Sequence, residues 1–270
     1  MIVRFRSCVA LVLFLIGLPT VSIFAQVADT TARAQLFETR DLIAAGGLVA
    51  GVAVVMQSDR NVERAFVRPN LQNSTGLRDF SNASGFLGDP GSVILSAGLY
   101  FAGLGAHSRE LAALGMHTGE SVVLGGVIAE LVKGEAGRAR PSISPTNSRV
   151  FKSGKGFSSD DYGSFPSAET TAAFAAATAL SRGFSRDWPN HARLMTGVAY
   201  TGATLVAGSR LYKDEHWASD VVAGAGLGTF SAIFVDRFNR RYPNNIFERV
   251  FLPAAVTRYR GGLAVEWRLH

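Results

Sequence analysis

The sequence predicts an all-α protein, a helical bundle of about six core helices with a short C-terminal β-hairpin. Three observations carry this. Apolar, Gly/Ala-rich segments recur near Leu42–Met56, Ser92–Ala106, Leu111–Val132, Ala168–Ser181, Leu194–Ser209 and Ser219–Phe234, and most are longer than a strand. Polar stretches separate them, notably Gln57–Asp89 and Ser142–Phe165. Strict alternation of apolar and polar residues is confined to the last twenty residues.

The segments are justified in order. Met1–Ala25 reads as an export signal. Arg4 and Arg6 form its positive start, Cys8–Phe24 is apolar, and Ser22-Ile23-Phe24-Ala25 offers a cleavage site. An uncleaved anchor helix is the other reading. Removing the segment takes two arginines and the single cysteine, so the charge falls from +6 to +4. A cysteine-free remainder suits an oxidising compartment and excludes thiol chemistry. The expected division is a signal over 1–25, a helical domain over 26–250 and a tail over 251–270.

Within the helical domain, Gln57–Asp89 reads as a polar loop. Ser142–Phe165, rich in Ser, Gly, Asp and Lys, reads as a long one of the kind that carries function. Gly47/Gly51 and Gly224/Gly228 have the spacing that lets helices approach closely. The run Pro90–Ser108 approaches the length of a membrane span. The other segments are shorter and flanked by charge, which favours buried helices of a soluble or peripheral domain over spanning ones. In the tail, Val256–Arg260 and Leu263–Leu269 flank Gly261-Gly262, a hairpin pattern.

Composition narrows the class. The 270 residues are 47% hydrophobic and 18% charged, with 29 glycines and 9 prolines, which excludes disorder. The glycines keep no three-residue period, which excludes collagen. The chain is basic, with pI ≈ 9.8, yet has no Lys/Arg stripe with interleaved aromatics, so nucleic acid is not an expected partner. Its charge favours phosphorylated substrates or anionic head groups.

Three stretches place chemistry at helix ends. In Lys133-Gly-Glu-Ala-Gly-Arg-Ala-Arg140-Pro141, a lysine ends an apolar helix and an arginine follows just before a proline. The pair either complements a helix dipole or converges on one oxyanion. In Phe165-Pro166-Ser167-Ala168-Glu169-Thr170, Ser167 is an N-cap, and the same helix end can hold an anion. In Ser209-Arg210 through His216 to Asp220, a helix beginning near His216 puts His216 and Asp220 on one face. The carboxylate would then hold one ring nitrogen and free the other as nucleophile or base. The plain alternative is a first-turn acid beside a surface histidine.

Together these blocks resemble the phosphatidic acid phosphatase type 2 / vanadium-dependent haloperoxidase superfamily, whose pattern is K-x6-RP, PSGH and SR-x5-H-x3-D. Lys133 to Arg140-Pro141 and Ser209-Arg210 to His216 to Asp220 fit without a spacing error, and the resemblance covers roughly 111–238. It implies an all-helical fold with a metal-free site in which vanadate can stand in for phosphate. Lys133, Arg140 and Arg210 would bind phosphoryl oxygens, with Ser167 and the Ala168 amide adding hydrogen bonds. His216 would form a phosphohistidine, oriented by Asp220. The middle block departs from the pattern: it reads Pro-Ser-Ala-Glu, so Glu169 stands where the family has its general-acid histidine. A glutamate serves there only with a raised pKa; ionised, it would repel substrate or pair with Arg140 or Arg210.

Weaker candidates remain. Gly224-Ala-Gly226-Leu-Gly228 reads as helix packing rather than a phosphate loop. Asp160-Asp161 with Asp214 or Glu215 read as solvated acids before a cation site. His107, His117 and His191 read as surface residues. The expected function is an exported, acid-phosphatase-like hydrolase of a phosphomonoester or lipid (pyro)phosphate, in the periplasm or cell envelope. The alternatives are a weak or inactive binder of phosphate or anionic lipid, a vanadate-binding haloperoxidase, and an integral inner-membrane location.

Overall fold

A computed structural model describes residues 35–88, 90–252, 255–259 and 262–266. The export signal lies outside the described residues. The helices are α1 Thr39–Val55, α2 Asp59–Phe66, α3 Pro69–Gln72, α4 Thr75–Phe86, α5 Gly91–Gly105, α6 Arg109–Ala136, α7 Ala168–Asp187, α8 Pro189–Tyr212, α9 Ala218–Arg241 and α10 Ile246–Phe251. The fold is helical, and each of the six apolar segments lies largely inside a helix. Strands β1 Ala255–Tyr259 and β2 Gly262–Glu266 pair antiparallel, with Val256 opposite Val265. Residues 260, 261 and 267–269 of the expected hairpin lie outside the described residues.

Helix α7 is the hub, packing against α6, α8 and α9. Its alanines explain this: Ala172, Ala173, Ala175, Ala176, Ala177 and Ala179 are all buried, and a methyl side chain lets three neighbours approach one helix. Glycine brings α9 closest. A Cβ at Gly228 would sit 2.2 Å from the Thr171 carbonyl oxygen, and one at Gly224 would sit 2.5 Å from that of Ser167. Among the described residues the expected close approach at Gly47/Gly51 is not seen, since a Cβ at either position meets nothing within 4 Å.

Local chemistry sets the helix ends. Ser108 caps α6 by accepting from the Leu111 amide at 3.2 Å. Gly137, at φ 54°, ends it in the left-handed conformation. Ser167 caps α7 by accepting from the Thr170 amide at 3.3 Å, and Pro189 opens α8.

Two expectations change. The polar stretch Gln57–Asp89 is not a loop but holds α2, α3 and α4. Its caps and amphipathic turns are too short for a periodicity reading, and their packing on the bundle stabilises them. The apolar segments also understate helix length, because charged and small flanking residues continue the helices. α6 reaches 28 residues and α9 reaches 24, and both are long and apolar enough to cross a membrane. Val123, Val127 and Leu131 form an exposed stripe along α6, and Leu194, Val198 and Leu205 are exposed on α8.

Candidate active site

The antiparallel course of the bundle brings the C-terminal ends of α6 and α8 to the same end as the N-terminal ends of α7 and α9. Residues 137–167, linking α6 to α7, fold across that end. They include two single-turn 3-10 helices, Lys155–Phe157 and Asp160–Tyr162.

His216 sits just before α9, with Trp217 as N-cap in extended conformation. The helix therefore starts two residues later than expected, and His216 and Asp220 do not share a helical face. Asp220, as the third helical residue, accepts from the Trp217 amide at 2.8 Å. It also accepts from the Ser164 hydroxyl and from Arg138. Its oxygens are occupied, and the nearer one lies 4.0 Å from His216 Nδ1. Nδ1 instead hydrogen-bonds the Ser164 carbonyl oxygen at 2.7 Å. A carbonyl only accepts, so Nδ1 carries the proton and, in the neutral ring, Nε2 carries the lone pair. Asp220 thus acts on His216 through Ser164 and the helix cap, not by holding a ring nitrogen.

Sequence reasoning missed the support of this arrangement. Arg138, one of the six residues between Lys133 and Arg140, is completely buried. Its guanidinium reaches Asp59 Oδ2 at 2.7 Å, Asp220, the Ser219 hydroxyl at 2.7 Å and the Ser148 carbonyl. It also lies over the rings of Phe151 and Trp217. Asp59, from the stretch read as a loop, further accepts from the Ser219 amide at 2.9 Å. The only available signal was an arginine inside a motif spacer, which pattern reading ignores.

Around Nε2 the charges are mixed. Arg210 Nη1 lies 2.8 Å from Glu215 Oε2 and 3.4 Å from Glu169 Oε1. Arg140 donates to the Glu215 carbonyl at 3.2 Å and pairs with Asp160 at 2.9 Å. Lys133 lies within α6 rather than ending it; its ammonium pairs with Glu130, and its aliphatic chain runs beside Gly163, next to Ser164. Ser167 is buried, with its hydroxyl spent on the α7 cap and on Thr170 Oγ1 at 2.9 Å. Ala168 opens α7 beside it. The geometry gathers Arg140, Arg210, Glu169, Glu215 and His216, with Lys133 at the margin.

Glu169 Oε2 stands 3.3 Å from His216 Nε2. Burial favours the neutral acid, but a hydrogen bond and charge attraction from His216, when its ring carries both protons, together with Arg210 outweigh it and hold the Glu169 carboxyl far below the usual carboxylate range. The raised pKa that a general acid requires is therefore not what this environment supplies. α4 and the turn after it cover the pair: a Cβ at Gly85 would sit 2.2 Å from Arg210 Nη2, and one at Gly88 would sit 3.1 Å from Glu169 Cβ.

Residues 114–242 match the model of the PAP2 superfamily. The match spans just under half of the chain. The matched segment runs from within α6 to just past α9 and contains every site residue named above except Asp59, Gly85 and Gly88. A solved structure also matches, that of a transmembrane PAP2-type phosphatidylglycerolphosphate phosphatase from Bacillus subtilis. It is 20% identical at TM-score 0.49, covering 74% of this chain and 97% of that one. No curated protein matches.

The remaining candidates resolve simply. Asp160 pairs with Arg140 rather than with Asp214 or Glu215. His107 and His191 are exposed. His117 is not a surface residue: it is half-buried, with Nε2 2.9 Å from Glu248 of α10. That partner lies 131 residues away, beyond any spacing argument.

Proposed function

We propose that this protein is a PAP2-type phosphatase that moves a phosphoryl group from a phosphomonoester or lipid (pyro)phosphate to His216 and then to water. The observation that carries the reading is the Nδ1 hydrogen bond to the Ser164 carbonyl, which leaves the Nε2 lone pair of the neutral ring facing Glu169, itself paired with Arg210. Phosphoryl transfer needs positive charge around the equatorial oxygens and an in-line nucleophile. Substrate oxygens take over Arg210 and Arg140 from the carboxylates that now pair with them, with Lys133 at the rim and the Ser167–Ala168 helix end beneath. Nε2 then bonds to phosphorus as the bond to the leaving oxygen breaks, and that oxygen takes a proton from water. Water next attacks the phosphohistidine, the N–P bond breaks with its electron pair returning to Nε2, and phosphate leaves.

The exposed apolar faces of α6 and α8 favour a membrane-associated protein, and the export signal read from the sequence of residues 1–25 would put its site in the cell envelope. A second reading rests on Glu169, which occupies both Arg210 and the approach to Nε2. On that reading the chain is a phosphate- or anionic-lipid-binding envelope protein with little turnover.

The test uses full-length protein in detergent with p-nitrophenyl phosphate and with phosphatidate in mixed micelles, alongside His216→Ala. Expected is phosphate release that His216→Ala abolishes and vanadate inhibits. Absence of His216-dependent release from either substrate would leave the binding protein.

A further inference from the structure

We propose that Glu169, Glu215 and His216 form a binding site for one divalent transition-metal ion of the zinc type, and that its occupation silences the nucleophile. The second half rests on the phosphatase reading; the binding itself does not.

The donors are already assembled. One carboxylate oxygen from each glutamate and one ring nitrogen of His216 lie within 4.8 Å of one another. Two oxygens and an imidazole nitrogen are a donor set that zinc accepts, with a fourth position open to water.

The second observation is independent of that clustering. His216 is buried, and among the described residues Nε2 has no hydrogen-bond partner. With the proton fixed on Nδ1 by Ser164, the Nε2 lone pair of the neutral ring faces Glu169 Oε2 at 3.3 Å. A lone pair and a carboxylate oxygen repel at that separation unless positive charge sits between them. Either a second ring proton or a metal ion supplies it. The separation suits the ion: bonds of about 2.1 Å at the tetrahedral angle put two ligand atoms about 3.4 Å apart.

The surroundings are those of a supported metal site. A metal-bound histidine usually donates its other N–H to a carbonyl or carboxylate, as Nδ1 does to Ser164. Arg210 holds Glu169 Oε1 and Glu215 Oε2, fixing both carboxylates while leaving each a second oxygen. Glu169, which disables the family's general-acid position, completes the set. The consequence is direct. The lone pair that coordinates the ion is the one that must attack phosphorus, so the metal-bound protein cannot form the phosphohistidine.

Metal-free full-length protein in detergent is titrated with ZnCl2 by calorimetry, with MgCl2 as the hard-ion comparison. Expected is one zinc per chain at micromolar or tighter Kd. Binding weakens at least tenfold in Glu169→Gln and in Glu215→Gln, and magnesium gives no comparable heat. Circular dichroism of both variants checks that they fold; Glu215, partly exposed, is the safer of the two. Stoichiometric zinc should also abolish His216-dependent phosphate release, with recovery on chelation. No saturable binding, or binding that neither substitution in folded protein weakens, overturns the site. Tight binding with undiminished phosphate release overturns the silencing. Zinc binding in a protein without phosphatase activity supports the site and removes the phosphatase reading instead.

Discussion

Arg138 Nη1 is hydrogen-bonded to Asp220, and both side chains are fully buried. This contact ties the loop after α6 to the first turn of α9, and with Asp59 it closes a cage around the base of the site. Burying ions is costly, but leaving one unpaired costs more, about 3–5 kcal/mol when a partner is removed. Arg138→Ala should therefore lose about that much stability in urea unfolding. Arg138→Lys should recover only part, because an ammonium lacks the planar fork that serves two carboxylates and the Ser148 carbonyl together. A loss under about 1 kcal/mol in Arg138→Ala, well below the cited range, would show that the cage does not hold the loop.

On the proposed mechanism, Glu169 governs the leaving group. Its carboxyl is held below the usual carboxylate range beside His216 and Arg210, so it does not serve as an acid for the departing oxygen. General acids contribute typically 10²–10⁴-fold, with the larger share for poor leaving groups. Glu169→His should raise turnover of an alkyl phosphate by at least about tenfold, a fraction of that range, and raise p-nitrophenyl phosphate turnover much less. Equal or lower rates on both substrates would mean that leaving-group protonation does not limit the proposed reaction.

Asp214 gives stability an opposite pH dependence from that of an ordinary ion pair. Burial, with the Glu63 carboxylate nearby, raises its pKa from 3.8 to about 6. Between those values the folded chain binds more protons than the unfolded one, so this group's contribution falls as pH rises through about 6. Asp214→Asn should melt higher than wild type above that pH, with the gap closing as pH falls towards 4. Asparagine accepts the left-handed backbone at this position, φ 58°. A melting difference independent of pH would sink the assignment.

The sequence showed what periodicity and fixed spacing can carry. The six apolar segments, the Lys133–Arg140 and Arg210–His216–Asp220 spacings and the departure at Glu169 were all readable, because each depends on neighbours within a few turns. Asp59, Ser164 and Arg138 were not. Their roles come from partners 79, 56 and 82 residues away, and a buried arginine in a spacer has no local signature. The start of α9 was misplaced because Asp220 caps it from inside, which makes His216 an approach residue rather than a helical one. α2, α3 and α4 were read as loop because short helices depend on tertiary packing more than on propensity.

Gly228 and Gly51 look alike in the sequence, each four residues after another glycine, yet their surroundings differ. At Gly228 a Cβ would lie 2.2 Å from the Thr171 carbonyl oxygen and 2.8 Å from the Ala175 amide nitrogen. Both are backbone atoms of a capped helix and cannot swing aside, so α9 must move away from α7. Overpacking of this kind costs about 1–3 kcal/mol. At Gly51 a Cβ meets nothing within 4 Å, and alanine is favoured over glycine in a helix by about 0.5–1 kcal/mol. Gly228→Ala should lower the unfolding midpoint and Gly51→Ala should raise it slightly. Because Gly228 sits one turn beyond Gly224, which abuts the Ser167 carbonyl, Gly228→Ala should also reduce phosphate release while Gly51→Ala leaves it intact. Two substitutions with the same effect on the midpoint would mean that the α7–α9 contact is looser than the structure places it.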